Sequence, residues 1–169
     1  YQCKNETKFS EIQGKYNIPE KYFLSLSTLE PRKNIDHVIR SFVRLISDKK
    51  IHDLSLVLVG DKGWDFDKIF NEFGHAKDFQ DRIIITGRIP DEDLASIYSH
   101  ANSFYYMSFY EGFGLPPLEA MQCGTPSVVS DTSSLPEVVG KAGILLDPKD
   151  QGSLVKSMWK LYSDELYRN

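Results

Sequence analysis

Two carboxylates, Glu111 and Glu119, bracket the most chemically suggestive stretch of this sequence, Glu111-Gly-Phe-Gly-Leu-Pro-Pro-Leu-Glu119. Gly112 and Gly114 suit a tight turn that lets backbone approach a ligand closely, and Pro116 and Pro117 suit the first turn of a helix. A helix start behind such a turn presents free N–H groups and the positive end of the helix dipole, a favourable seat for a diphosphate. Glu111 belongs to the loop and Glu119 lies about one turn into the helix. Each can accept hydrogen bonds from hydroxyls, which suits a sugar on one side and a ribose on the other. The same spacing also fits a plain helix start flanked by two solvated carboxylates.

A second cluster of charge lies at Leu29-Glu-Pro-Arg-Lys-Asn34. Adjacent cations supply the charge that a diphosphate needs, and arginine can bind it in bidentate fashion. A solvated turn before a helix would carry the same pair. Asp91-Glu92-Asp93 resembles a metal-binding triplet, but its place after Pro90 fits the acidic first turn of a helix better. His37, His52, His75 and His100 share no metal-ligand spacing with one another or with the cysteines, and read as surface or packing residues. Gly60-Asp-Lys-Gly63 is neither a Walker loop nor a dinucleotide fingerprint. Ser133 and Ser134 lack the glycine elbow of a nucleophile, and Phe104-Tyr105-Tyr106 reads as strand core.

These residues must be held by elements that the apolar pattern predicts. Residues 1–21 are polar and weakly patterned and read as a lead-in segment; residues 22–169 read as one domain. Strand-like runs at Tyr22 to Ser27, Leu54 to Val59, Arg82 to Ile85, Ser103 to Met107, Ser127 to Ser130 and Gly143 to Leu146 alternate with helical patterns. Asn34 is placed to cap a helix carrying Ile35, Val38, Ile39, Phe42, Val43 and Ile46. Further helices are expected over Phe66 to Phe73, Asp91 to His100, Leu115 to Gln122 and Gln151 to about Leu166. Continuously apolar strands alternating with helices predict an α/β fold, a doubly wound parallel sheet covered on both faces. Such sheets bind ligands beyond the carboxyl ends of their strands, where strand order reverses. Both charged clusters follow strands, so both should share that end.

Composition narrows the function further. The 169 residues are 41% hydrophobic and 26% charged, which excludes a disordered tail, a collagen-like fibre and a coiled coil. Twenty Lys plus Arg against 24 Asp plus Glu give a net charge of −4, so no nucleic-acid partner is expected. Two cysteines, Cys3 and Cys123, make no disulfide framework, and a reducing, cytoplasmic setting is expected. No apolar run approaches the ~20 residues of a membrane span.

At Glu111 to Glu119, continued by Ala120-Met-Gln-Cys-Gly-Thr-Pro-Ser-Val-Val-Ser130, the sequence resembles the carboxyl-terminal, donor-binding domain of retaining glycosyltransferases of the GT4 family, which have the GT-B fold. Ile85 to Asp91, Leu135 to Gly140 and Gly143 to Pro148 match in order, and Leu29 to Asn34 resembles the subgroup with many bacterial mannosyl- and rhamnosyltransferases of surface-polysaccharide synthesis. The resemblance covers nearly all the chain from Tyr22 onward. It implies one half of a GT-B fold, a Rossmann-like domain that binds a nucleoside-diphosphate sugar without a metal or other cofactor. Glu111 would hold sugar hydroxyls, with the backbone of Gly112, Phe113 and Gly114 approaching the sugar and phosphates and the Leu115 amide binding phosphate. Glu119 would take the ribose, the backbone at Arg88 and Ile89 would meet the base, and Arg32 and Lys33 would neutralise the leaving diphosphate. Glu111, Arg32 and Lys33 are thus the expected catalytic residues. Many relatives carry Gly-Arg where this chain has Ser27-Thr28, so Arg32 is expected to stand in for that arginine.

The resemblance also implies an amino-terminal acceptor domain facing this one across a cleft, with an exposed apolar patch where the two halves dock. The chain reads as a fragment of such a two-domain enzyme, able to bind nucleotide but to transfer little sugar alone. GDP-mannose is the expected donor, with an acceptor at the inner membrane face. A nucleotide-sugar epimerase or a non-catalytic α/β interaction module are the rival readings.

Overall fold

A computed structural model of the chain describes residues 6–65 and 77–168. The helix expected over Phe66 to Phe73, together with Cys3 and His75, lies outside the described residues. Six parallel strands form one sheet, β1 (Tyr22–Leu26), β2 (Ser55–Val59), β3 (Ile83–Gly87), β4 (Ser103–Tyr106), β5 (Ser127–Ser130) and β6 (Ile144–Leu146), in the order β3-β2-β1-β4-β5-β6. Strand order therefore reverses between β1 and β4. The fold is the α/β doubly wound sheet that the apolar pattern predicts, and the two charged clusters leave the carboxyl ends of the two strands at the reversal.

Successive strand residues point to opposite faces, so continuously apolar strands build two cores. Phe23, Leu56, Leu58, Tyr105 and Val128 face one way, against α2 (Ile35–Lys49) and α6 (Gln151–Ser163). Tyr22, Leu24, Val57, Val59, Phe104 and Val129 face the other, against α1 (Glu6–Tyr16), α3 (Asp91–His100), α4 (Leu115–Gln122) and α5 (Leu135–Val139). At about 25 cal/mol per Å² of apolar surface, burial on both faces is what holds the sheet between its two helical layers.

Four local expectations change. The lead-in is not irregular: Glu6–Tyr16 is helical, with Phe9 and Ile12 buried and the Phe9 ring stacked 3.8 Å from His100. With only Phe9, Ile12 and Tyr16 on its inner side, its periodicity is too thin to read. Asn34 does not cap α2 with its side chain; it adopts the left-handed conformation, φ 56°, and its amide donates to Met107 O at 3.0 Å and Pro148 O at 2.8 Å. Leu135–Val139, read only as a motif, forms α5 with proline in its first turn. The last helix ends at Ser163, and a separate turn, α7 (Glu165–Arg168), follows Asp164. No helix of the described residues is long and apolar enough to cross a membrane.

Candidate functional site

The loops leaving β1 and β4 are joined by main chain before any side chain meets. Phe109 N–H donates to Arg32 O at 3.0 Å, and the Arg32 guanidinium donates to Tyr110 O at 2.8 Å. The Asn34 amide adds its bond to Met107 O. Arg32 and Lys33, in a short 3₁₀ turn that begins with Pro31, are thereby set against the Glu111 loop.

Lys33 Nζ lies 2.6 Å from Glu111 Oε1, and Arg32 Nη1 lies 3.6 Å from Glu111 Oε2. Lys33 also donates to the Tyr106 hydroxyl at 3.2 Å, with its ammonium 5.4 Å from the ring centroid. Arg32 has a second carboxylate, Glu30, at 2.7 Å. Lys33 and Glu111 are 9% and 8% exposed, so neither is the solvated charge that the alternative readings of the two motifs would make it. Burial alone would raise the Glu111 pKa, but hydrogen bonds, that from Lys33 foremost, and the Lys33 charge hold it below the ordinary value. Burial and the neighbouring Glu111 charge push the Tyr106 phenol up, so it stays neutral. The cluster contains as many carboxylates as cations.

Behind Glu111, two serines brace the loop. Glu111 N–H donates to Ser133 Oγ at 3.0 Å, while the Ser134 hydroxyl donates to Glu111 O at 3.2 Å and Phe113 O at 2.8 Å. Gly114 then turns the chain at φ 99°, where a Cβ would stand 2.6 Å from the Leu135 side chain. It precedes α4 without a side-chain cap. Gly112 differs, since a Cβ there would meet nothing within 4 Å. Its turn does not require glycine; its surface is left open. Leu115, at the start of α4, is exposed.

The other expected site residues fall elsewhere. Glu119, half-buried on α4, accepts a hydrogen bond from the Tyr98 hydroxyl of α3 at 3.1 Å. Arg88 and Ile89 line a separate cleft of about 290 Å³ with Ser27, Thr28, Gly60, Asp61 and Asp91, beyond the carboxyl ends of β1, β2 and β3. Gly60, dismissed as a motif, is needed there: at φ 141° its Cβ would fall 2.0 Å from Ser27 O. The structure therefore joins Arg32, Lys33 and Glu111, while Arg88 and Ile89 line a different cleft and Glu119 meets Tyr98.

Sequence reasoning missed Glu30, Tyr106, Ser133, Ser134 and Tyr98. Glu30 is two residues from Arg32, a visible signal. The rest depend on contacts between distant segments. Asp93 of the acidic triplet turns inward to Lys15 and Tyr16. Among the described residues no group of three or more His, Cys, Asp or Glu gathers as a metal site. Around the loops, Trp64, Phe109, Tyr110, Phe113 and Leu115 are exposed.

Comparison with known proteins gives the chain its relatives. The family described as glycosyl transferases group 1 matches residues 8–169. O-antigen chain mannosyltransferase B of Escherichia coli is 40% identical over 160 residues, covering 93% of this chain and 41% of that protein. Sucrose-phosphate synthase from Thermosynechococcus elongatus superposes with a TM-score of 0.76 at 27% identity, over 98% of this chain and 43% of that one. HepE from Anabaena, solved in complex with UDP and glucose, superposes with a TM-score of 0.83 at 19% identity, over 98% of this chain and 45% of that one, a likeness of fold. The chain thus spans about two-fifths of the length of each of these relatives.

Proposed function

The chain belongs to the glycosyl transferases group 1 family, and from that premise we propose that it is the donor-binding half of a retaining, GT4-type glycosyltransferase. The observation that carries the reading is the meeting of Arg32, Lys33 and Glu111 where strand order reverses, beside the uncapped start of α4. A nucleoside-diphosphate sugar fits this end of the sheet with its diphosphate at Arg32, Lys33 and the Leu115 amide. Its sugar lies at Glu111 and the open surface of Gly112, its ribose at Glu119, and its base in the cleft of Arg88 and Ile89.

Transfer needs negative charge on the departing diphosphate to be stabilised as it develops. Arg32, Lys33 and the α4 N-terminus supply preorganised positive potential there, without a metal. Glu111 and Glu119 orient the donor and are not the acid and nucleophile pair of a retaining hydrolase. Attack by the acceptor from the leaving-group face, with the departing phosphate taking the acceptor proton, gives retention. The donor is GDP-mannose, supported by the mannosyltransferase relative. The acceptor is a surface-polysaccharide intermediate at the cytoplasmic face of the membrane, held by a further, amino-terminal domain that docks on the exposed Phe109, Tyr110, Phe113 and Leu115. Without that domain this chain binds donor but does not transfer.

Titration with GDP, UDP, ADP and dTDP, with and without magnesium, tests the reading. One diphosphate should bind equally well in chelator. Binding of none would leave a non-catalytic module, and binding only with a divalent ion would reopen the metal question.

A further inference from the structure

The cations at this site are not free charges waiting for a diphosphate. Arg32 is paired with Glu30 at 2.7 Å and Lys33 with Glu111 at 2.6 Å, and Arg32 also lies 3.6 Å from Glu111. Two positive and two negative groups leave the cluster close to neutral. The Lys33–Glu111 pair is buried, where charges are poorly screened. A ligand bringing negative charge to Arg32 and Lys33 must therefore approach the Glu111 carboxylate as well.

From this we infer that Glu111 is a built-in counter-anion that makes the site select a nucleotide sugar over the plain nucleoside diphosphate. The inference rests on the donor-binding reading above. A plain diphosphate carries about one more negative charge than its sugar ester, and a simple cationic site would hold it more tightly. Here the Glu111 carboxylate opposes that extra charge. With the sugar attached, the charge is lower and the sugar hydroxyls donate to the same carboxylate, turning an opposing group into an accepting one. The product diphosphate, having lost the sugar, faces Glu111 unshielded and leaves more readily. Glu30 serves as the internal comparison: it opposes anions through Arg32, pairing with Nη2 where Glu111 lies nearest Nη1, and the donor-binding reading gives it no sugar contact.

The test is calorimetric titration of the wild-type chain, Glu111→Gln and Glu30→Gln with GDP and GDP-mannose, and with UDP and UDP-glucose as the alternative pair. Wild type should bind the nucleotide sugar at least as tightly as the diphosphate. Glu111→Gln should bind the diphosphate about tenfold tighter and the nucleotide sugar no tighter, reversing the preference. Glu30→Gln should tighten both ligands alike, and by less, because its guanidinium partner is exposed. Glu111→Ala removes the same charge and should change the diphosphate affinity in the same direction, which carries the test if the glutamine variant does not fold. Unchanged or weaker diphosphate binding in both Glu111 variants overturns the inference while leaving donor binding intact. Equal tightening of both ligands by Glu111→Gln also overturns it, since charge would then act without selecting the sugar. If wild type binds none of these four ligands and neither ADP nor dTDP, the donor-binding reading fails, and the inference with it.

Discussion

A three-part cluster of a lysine ammonium, a carboxylate and a tyrosine hydroxyl recurs in the molecule, at Lys21, Asp53 and Tyr162 among other places, and two of its copies are used differently. In one, Lys15 and Tyr16 of α1 both donate to Asp93 Oδ2 of α3 at 3.0 Å. In the other, Lys33 pairs with Glu111 and Tyr106. The carboxylates are almost equally shielded, with Asp93 and Glu111 side chains 10% and 9% exposed, but the Lys15 side chain is 57% exposed and that of Lys33 only 10%. Water screens the first cation, so that cluster clips one surface helix, α1, to its neighbour α3. Protein surrounds the second, at the reversal of strand order, where an arriving anion meets a strong field. Burial of the cation, more than the kinds of residue, separates a clasp from a site.

Removing one partner from each cluster would test that distinction. Lys33→Met should be the most damaging change, because it leaves Glu111 buried without its main partner. We expect a loss of about 3–5 kcal/mol in unfolding free energy by denaturant melts, with diphosphate binding abolished in calorimetry. Retained diphosphate affinity would put the anion seat elsewhere. Glu119→Gln probes a carboxylate whose partner among the described residues is a tyrosine, Tyr98. It should weaken the diphosphate and the nucleotide sugar alike, roughly tenfold, the worth of a hydrogen bond to a charged group. A loss confined to the nucleotide sugar would move Glu119 from the ribose to the sugar.

Asp93→Asn should cost only about 1 kcal/mol, since its lysine partners are exposed, and should leave ligand affinity untouched. Weakened nucleotide binding in this variant would break the comparison. Acid sharpens it further. At Asp93 and at Glu111, burial opposes ionisation, but the lysine and tyrosine hydrogen bonds prevail and depress the folded-state pKa. Each contribution is therefore complete above the ordinary carboxylate range and is lost as pH falls through it, from about pH 5 downward. Melts between neutral and acid pH should show this decline, shallower in Asp93→Asn than in wild type; equal slopes would mean that the Asp93 pair carries no pH-linked stability.

Much of this architecture can be read from the chain. The run Leu56-Val-Leu-Val59, buried to within 2% on both faces, admits little besides a central parallel strand. Gly114 and the prolines after it mark a helix start in any context. The first helix escaped because two buried side chains, Phe9 and Ile12, make too faint a stripe. The site divides in the same way. Arg32, Lys33 and Glu111 are visible as residue types that follow strands. That they neutralise one another is not, because Lys33 and Glu111 stand 78 positions apart and meet only through the fold. The serine braces belong to a segment with no chemical signature of its own, their role being fixed by main-chain atoms of another loop.

The Asn34 amide, held between Met107 O and Pro148 O, joins segments that leave β1, β4 and β6 through one planar group. Segments tied at a common point do not open independently: releasing one means breaking bonds that hold the others. In native-state hydrogen exchange the amides around Phe109 and those near Pro148 should therefore behave as one cooperative unit with a shared opening free energy. The carboxyl rim of the sheet would then exchange as a single foldon, and its charges would keep their spacing through the small fluctuations that admit a ligand.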